Sequence, residues 1–196
     1  MQPENFPVAD YVSYLQLLTK WNKAYNLTAI TDPGRMVTHH ILDSLSVLPF
    51  LQGGHCIDVG TGAGLPGLIL ALATPEKKWV LLDSNQKKIR FINQAIIDLK
   101  VNNVTTERVR AEEFKPEILF STVITRAYGS MELICAQTRH LMLQNGIMLA
   151  MKGVVAKKEL AGIDKGAFKV QLHKLQVPGV TDQRTLVEIN ALPSSI

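Results

Sequence analysis

A chain of 196 residues, 46% of them apolar and with a formal net charge of +4, is long enough to bury a core as one domain, which excludes a disordered polyelectrolyte. Its two cysteines, Cys56 and Cys135, lie far apart in apolar surroundings, which argues against a disulfide framework and predicts a reducing, cytoplasmic setting. The polar start MQPENFPVAD predicts no secretory leader, and no apolar run reaches the length of a membrane span.

Residues 6–29, FPVADYVSYLQLLTKWNKAYNLTA, space Val8, Tyr11, Val12, Leu15, Leu18, Trp21 and Leu27 at helical intervals. A turn is expected at Asp32-Pro33-Gly34. A second helix is expected over 36–51, MVTHHILDSLSVLPFL, stopping near Pro49 and Gly53-Gly54. The pattern then changes. HCIDVG (55–60) reads as a buried strand and LPGLILALA (65–73) as a helix. KWVLLDS (78–84) reads as a strand and NQKKIRFINQAIIDLKV (85–101) as a helix. VTTERVRAEEF (104–114) contains a strand. FSTVITRA (120–127) is a strand, MELICAQTRHLML (131–143) a helix and GIMLAMKG (146–153) a strand. Such alternation predicts an α/β fold, a parallel sheet with helices on both faces. The tail pair VQLHKLQVP and RTLVEINAL, joined by GVTDQ, predicts an antiparallel closure at a sheet edge. We expect residues 1–54 to form an N-terminal helical extension packed on a core of residues 55–196, the whole being one compact unit.

The turn between the first strand and its helix, DVGTGAGLPG, holds Gly60, Gly62, Gly64 and Gly67. In an open parallel sheet a ligand binds beyond the carboxyl ends of the strands, where this turn lies. The dinucleotide fingerprint G-x-G-x-x-G needs glycine at position 65, which is Leu65. No Gly-Lys-Ser/Thr follows, so a phosphate-binding P-loop is excluded. Pro66 suits an early helical position. About twenty residues on, the second strand ends in Asp83, an acid placed to accept both hydroxyls of a ribose in NAD or in an adenosyl ligand. The third strand leads to Ala111, Glu112 and Glu113, where an adenine edge would lie, and the fourth ends in Arg126. Glycine, acid, acid and arginine at four successive strand ends favour S-adenosylmethionine over a dinucleotide. Blander roles stand beside these. Asp58 can bond its own turn, Asp83 can cap the next helix, and the Glu112–Glu113 pair can be solvated. Arg126 follows an apolar run and needs a partner.

Residues 151–174 hold six lysines (Lys152, Lys157, Lys158, Lys165, Lys169, Lys174) against two acids, an excess equal to the net charge of the whole chain. Such a run is either an RNA-binding face or a solvated helix face.

WNKAYNLTAITDP (21–33), HHILDSLSVLPFL, DVGTGAGLPGLILA, LLDSNQKKIRFI, RAEEF, TRA, MKG and RTLVEI follow one another in order. Together they resemble the bacterial small-subunit ribosomal RNA guanine-N7 methyltransferases, formerly glucose-inhibited division protein B. The resemblance implies a Rossmann-like, seven-stranded methyltransferase sheet with an N-terminal helical cap. It implies methylation of guanine N7 in a conserved 16S rRNA hairpin loop, with S-adenosylmethionine as cofactor. It places cofactor contacts on Gly60, Leu65, Ala111, Glu112 and Arg126, with Asp83 as the ribose acid. Many members have a longer N-terminal lead, and His39-His40 stands where members often carry Arg-His.

Methyl transfer to guanine N7 needs no general base, because N7 has a free lone pair and no proton. Alignment of the two reactants supplies the catalysis. Cys56 and Cys135 read as core residues rather than nucleophiles. His39 and His40 lack the spacing of a metal site, and no metal is expected. Lys87, Lys88 and Arg90 after the second strand, Lys152 after the fifth, and Arg184 in the tail are the RNA-binding candidates, of which Lys152 and Arg184 match family positions. Arg126 is expected to span cofactor and target as the catalytic residue. The expected partner is 16S rRNA or the 30S particle, with no membrane, and the enzyme is expected to be a monomer. The competing readings are an NAD-linked oxidoreductase, a non-catalytic RNA-binding assembly factor, and a methyltransferase for another RNA or a small molecule.

Overall fold

The computed structural model describes residues 6–155, 157–164 and 166–192. Seven strands form one sheet in the order β3-β2-β1-β4-β5-β7-β6. They are β1 (His55–Val59), β2 (Lys78–Leu82), β3 (Val104–Glu107), β4 (Phe120–Arg126), β5 (Met142–Lys152), β6 (Phe168–Leu175) and β7 (Arg184–Ala191). The first five run parallel. β7 lies antiparallel between β5 and β6, with Lys152 opposite Thr185 and Leu175 opposite Arg184. The expected antiparallel closure is present, and β7 sits inside the sheet while β6 takes the edge.

Alternation along the strands sorts side chains to two faces. On β2, Trp79 and Leu81 face one side, while Val80 and Leu82 face the other. The first side packs against α1 (Val8–Tyr25), α4 (Gly67–Ala73) and α5 (Gln86–Asp98) through Tyr14, Leu18, Leu68, Ile69, Phe91 and Ile92. The second packs against α6 (Met131–Thr138) through Met131, Ile134 and Cys135. Asn85 caps α5 by accepting from the amides of Lys87 and Lys88, and Ser130 caps α6 through the Leu133 amide.

The structure departs from the sequence pattern in three places. The expected turn at residues 32–34 instead begins a helix. Asp32 accepts from the Arg35 amide and Pro33 takes the first position, so a turn-like tripeptide serves as a cap. The second predicted helix is not regular. A short α2 (Pro33–Met36) passes into a π-helical turn at Val37–Leu42, then α3 (Asp43–Leu45). The wider turn carries His39 and His40. The third departure is β5, which begins at Met142, inside the predicted helix. Its register against β4 slips between Phe120 and Thr122, so the early residues pair apart from the main ladder.

Where α4 begins, the backbone passes very close to β1. A Cβ on Gly67 would lie 2.3 Å from Leu81 Cδ2 and 2.6 Å from Asp58 Cβ. Gly67→Ala is therefore expected to destabilise the fold by about 1–3 kcal/mol through overpacking, despite alanine's better helix propensity. An unchanged urea midpoint would show that the helix can move away from the strand.

Candidate active site

The carboxyl ends of β1, β2 and β4 converge on the glycine turn. Gly60, Gly62 and Gly64 have φ of 70°, 62° and 85°, a left-handed region that glycine occupies without strain. The turn is braced from both sides. Asp58 Oδ2 accepts from the Thr61 hydroxyl at 2.6 Å and the Gly67 amide at 2.8 Å. Tyr14 of α1 is fully buried and donates its hydroxyl to the Ala63 carbonyl at 2.7 Å, tying the N-terminal helix to the turn. Burial pushes the Asp58 carboxyl up to about 6, against the pull of Thr61 and Gly67, and also raises Tyr14. Asp58 thus takes the turn-bonding role. Leu65 packs its side chain into the apolar cluster with Tyr14, and Pro66 precedes the helix rather than entering its first turn.

A cavity of about 390 Å³ opens beside the turn. Gly60, Asp83, Ala111 and Glu112 line it, together with Lys88, Arg110 and Tyr128. Asp83 is 6% exposed. Its Oδ2 accepts from the Gly62 amide at 3.0 Å and lies 3.4 Å from Lys88 Nζ, and its Oδ1 accepts from the Asn85 amide at 2.9 Å. Capping of the segment before α5 and a cavity-facing carboxylate therefore coexist in one residue. Gly62, Gly64 and Leu65 shape the turn without lining this cavity.

A second cavity, of about 370 Å³, lies on the far side of Ala127, which lines both. His39, His40, Asp43, Arg126, Lys152 and Arg184 line it. Arg126 Nη1 donates to the His39 carbonyl at 2.9 Å and to Asp43 Oδ2 at 2.8 Å. Arg184 Nε donates to Asp43 Oδ1 at 3.1 Å. The partner that Arg126 needed is thus Asp43. Arg126 lines this cavity alone and does not reach the first. Lys152 donates to Glu159 Oε1 at 2.6 Å and to the Gly129 carbonyl.

The remaining basic candidates lie elsewhere. Lys88 turns to Asp83, Lys87 lies 6.0 Å from the Tyr25 ring centroid, and Arg90 is exposed on α5. The basic run 151–174 is not one helix face. It spans the end of β5, the short α7 (Lys157–Ala161) and the edge strand β6, where Lys169 and Lys174 are exposed and discourage edge pairing. Lys165 lies outside the described residues, and the side chains of Lys157 and Lys158 are not described either.

Burial raises both cysteine thiols to about 11, so neither is a ready nucleophile. Among the described residues no group of His, Cys, Asp and Glu could hold a metal ion, and no helix is long and apolar enough to cross a membrane.

His40 is 4% exposed, with Nε2 3.0 Å from the Thr28 hydroxyl and no partner for Nδ1 among the described residues. Burial, aided by the Arg126 charge, lowers it to about 4. A histidine lowered in the fold gives stability that is full above its ordinary value of about 6.5 and is lost as pH falls towards 4. Asp58, being raised, works in the opposite sense. Its contribution is full below about 4 and is lost as pH rises through 6. His40→Gln should therefore flatten the acid-side fall of the thermal midpoint between pH 6.5 and 4. Equal slopes in variant and wild type would remove His40 as its source.

Sequence reasoning missed Asp43, Tyr14 and Tyr128. Asp43 did carry a signal, as a lone acid inside the apolar run HHILDSLSVL. Tyr128 carried none. Its ring lies so close to Gly60 that a Cβ there would be 2.3 Å from Cδ2, and its hydroxyl donates to Gln137 at 2.9 Å.

Comparison with known proteins gives a consistent result. The family model GidB, described as rRNA small subunit methyltransferase G, matches residues 8–187. A ribosomal RNA small subunit methyltransferase G of Coxiella burnetii (strain RSA 493 / Nine Mile phase I) is 48% identical over 178 residues, covering 91% of this chain and 86% of that protein. The protein of the same name from Legionella pneumophila (strain Philadelphia 1) is 47% identical, covering 91% and 85%. Among solved structures, a SAM-dependent methyltransferase from Aquifex aeolicus aligns with a TM-score of 0.64 at 14% identity, over 87% of this chain and 97% of that one. The N-methyltransferase NodS from Bradyrhizobium japonicum, in complex with S-adenosyl-L-homocysteine, aligns with a TM-score of 0.60 at 13% identity, over 94% and 99%. At these identities the structures show a shared fold.

Proposed function

On the premise that this chain belongs to the GidB family, rRNA small subunit methyltransferase G, we propose that it transfers a methyl group from S-adenosylmethionine to N7 of a guanine in a hairpin loop of 16S rRNA. One observation supports this reading above the others. Two cavities share Ala127 at the carboxyl end of β4, one holding Asp83 and Glu112 beside Lys88 and Arg110, the other Arg126 and Arg184 with Asp43.

The residues of the first cavity suit an adenosyl ligand. Asp83 keeps lone-pair capacity for ribose hydroxyls, since a carboxylate offers about four acceptor sites. Ala111 and Glu112 form the wall proposed for the adenine edge, and the turn at Gly60, Gly62 and Gly64 admits close approach to the backbone. When bound, the cofactor supplies a methyl group activated on a sulfonium.

The second cavity suits the acceptor RNA. Arg126 and Arg184 offer donors to phosphate and to the O6 acceptor of guanine, while Lys152 in the same lining is already paired with Glu159. No side chain has to remove a proton. The protein's work is to hold the two reactants aligned, an effect worth up to roughly 7–11 kcal/mol. On this reading the helical segment of residues 6–54 buttresses both cavities, through Tyr14 at the turn and Asp43 at the arginines. The enzyme would act as a monomer in the cytoplasm, on the RNA or on the 30S particle.

The deciding experiment supplies labelled S-adenosylmethionine with 16S rRNA or 30S particles from cells lacking the enzyme. The modified base is then mapped by N7-specific chain cleavage. One methyl group at a single guanine N7 is the expected result. No transfer despite cofactor binding would move the function to another acceptor.

A further inference from the structure

We propose that Asp43 is a positioning residue for the transfer: it holds the Arg126 and Arg184 guanidiniums side by side and carries the negative charge that offsets the cation formed on the acceptor base. This rests on the reading of the second cavity as the acceptor side.

Asp43 comes from the helical lead, Arg126 from the end of β4 and Arg184 from the start of β7, so the chain brings together positions 83 and 141 residues apart. Each carboxylate oxygen takes one arginine, Oδ2 at 2.8 Å and Oδ1 at 3.1 Å. The Asp43 side chain is 5% exposed, while the arginines keep 20% and 21% of theirs exposed. The anion is therefore hidden and the cations are presented. Among the described residues nothing accepts from Arg126 Nε or Nη2, or from Arg184 Nη2, so these donors remain for a ligand. The carbonyl of His39, on the π-helical turn, fixes Arg126 from a second direction.

Charge makes the arrangement more than a brace. Transfer forms the N7–C bond with the N7 lone pair and breaks the C–S bond, whose bonding pair stays with sulfur. One positive charge thereby leaves the sulfur and arrives on the purine. Two uncompensated guanidiniums beside that purine would oppose the step, although they favour binding of an anionic backbone. Asp43 between them lets the same arginines grip RNA without penalising the transition state. Glu159 plays no comparable part, because it pairs with Lys152 on the other wall.

The test is Asp43→Asn in the intact enzyme, with methyl transfer to 30S particles and separate cofactor titration. Lost charge should lower kcat by roughly 10- to 100-fold. KM for the particle should be unchanged or lower, its salt dependence steeper, and cofactor Kd unchanged. A merely structural residue would instead raise KM as the arginines lost order, and that outcome would overturn the proposal, as would an unchanged kcat. Where Asp43→Asn does not fold, Asp43→Glu decides. It pushes both guanidiniums outward by one methylene, so kcat should fall at least about threefold with KM intact, and no fall overturns the idea. A wild-type enzyme that transfers no methyl would sink the reading of the site and the proposal with it. An active wild type with an indifferent Asp43→Asn sinks the proposal alone.

Discussion

Asp83→Ala should weaken binding of S-adenosylmethionine and of its demethylated product alike, by a factor of 100 or more. The carboxylate already accepts from the Gly62 and Asn85 amides, and Lys88 makes the longer contact, at 3.4 Å. Lys88 is also the more exposed partner, and is therefore the group that gives way when two hydroxyls arrive. Hydrogen bonds to a charged group contribute about 1.5–3 kcal/mol each, so losing two costs at least a hundredfold in affinity. Alanine also leaves the Gly62 amide without its acceptor, which loosens the turn itself. Calorimetric titration with both ligands checks this. A loss confined to the sulfonium form would mean that Asp83 acts on charge and not on the ribose.

Arg126→Ala should separate binding from transfer. Arg126 lines the second cavity and not the one beside the glycine turn, so cofactor Kd should stay within about threefold of wild type. Single-turnover transfer to 30S particles should fall by about 10²–10³. The fold should also weaken, by about 1–3 kcal/mol, because Asp43 keeps Arg184 but loses its shorter contact. Normal turnover with normal cofactor affinity would remove Arg126 from the machinery.

Much of this architecture is written locally. The alternation of HCIDVG, KWVLLDS, FSTVITRA and GIMLAMKG with apolar helices specifies a parallel sheet, and the strand ends specify where a ligand sits. The glycine turn and Asp83 can be read because both depend on spacing within one β-α-β unit. The π-helical turn has no comparable signature. VTHHIL looks like ordinary helix, and nothing in its pattern announces the wider turn that presents the His39 carbonyl to Arg126. The early start of β5 was hidden for a similar reason. Met142 joins the sheet through a slipped register opposite Phe120, which the helical look of MELICAQTRHLML conceals. The Asp43 pairings and the Tyr14 bond to Ala63 join residues 49 to 141 positions apart. No periodicity reports such distant partners. The apolar contexts of Asp43 and Arg126 say only that each needs one. The expectation that Arg126 would also meet the cofactor came from the family resemblance. The structure turns it towards the helical lead instead.

The position of β7 has a consequence for how the protein is made. It is the last described strand to leave the ribosome, yet it lies inside the sheet and is the sole sheet neighbour of β6. Until it emerges, β6 has nothing to pair with, β5 exposes a long apolar edge, and Asp43 waits for Arg184. The nascent chain is thus obliged to hold an unfinished sheet through most of its synthesis, a state open to wrong pairings. When β7 does arrive, its first residue, Arg184, completes the second cavity and its remainder joins β6 to β5. Completion of the cavity and completion of the fold are then one event in the life of each molecule. A chain stalled before residue 184 would lack both that arginine and the strand that joins β6 to the rest of the sheet.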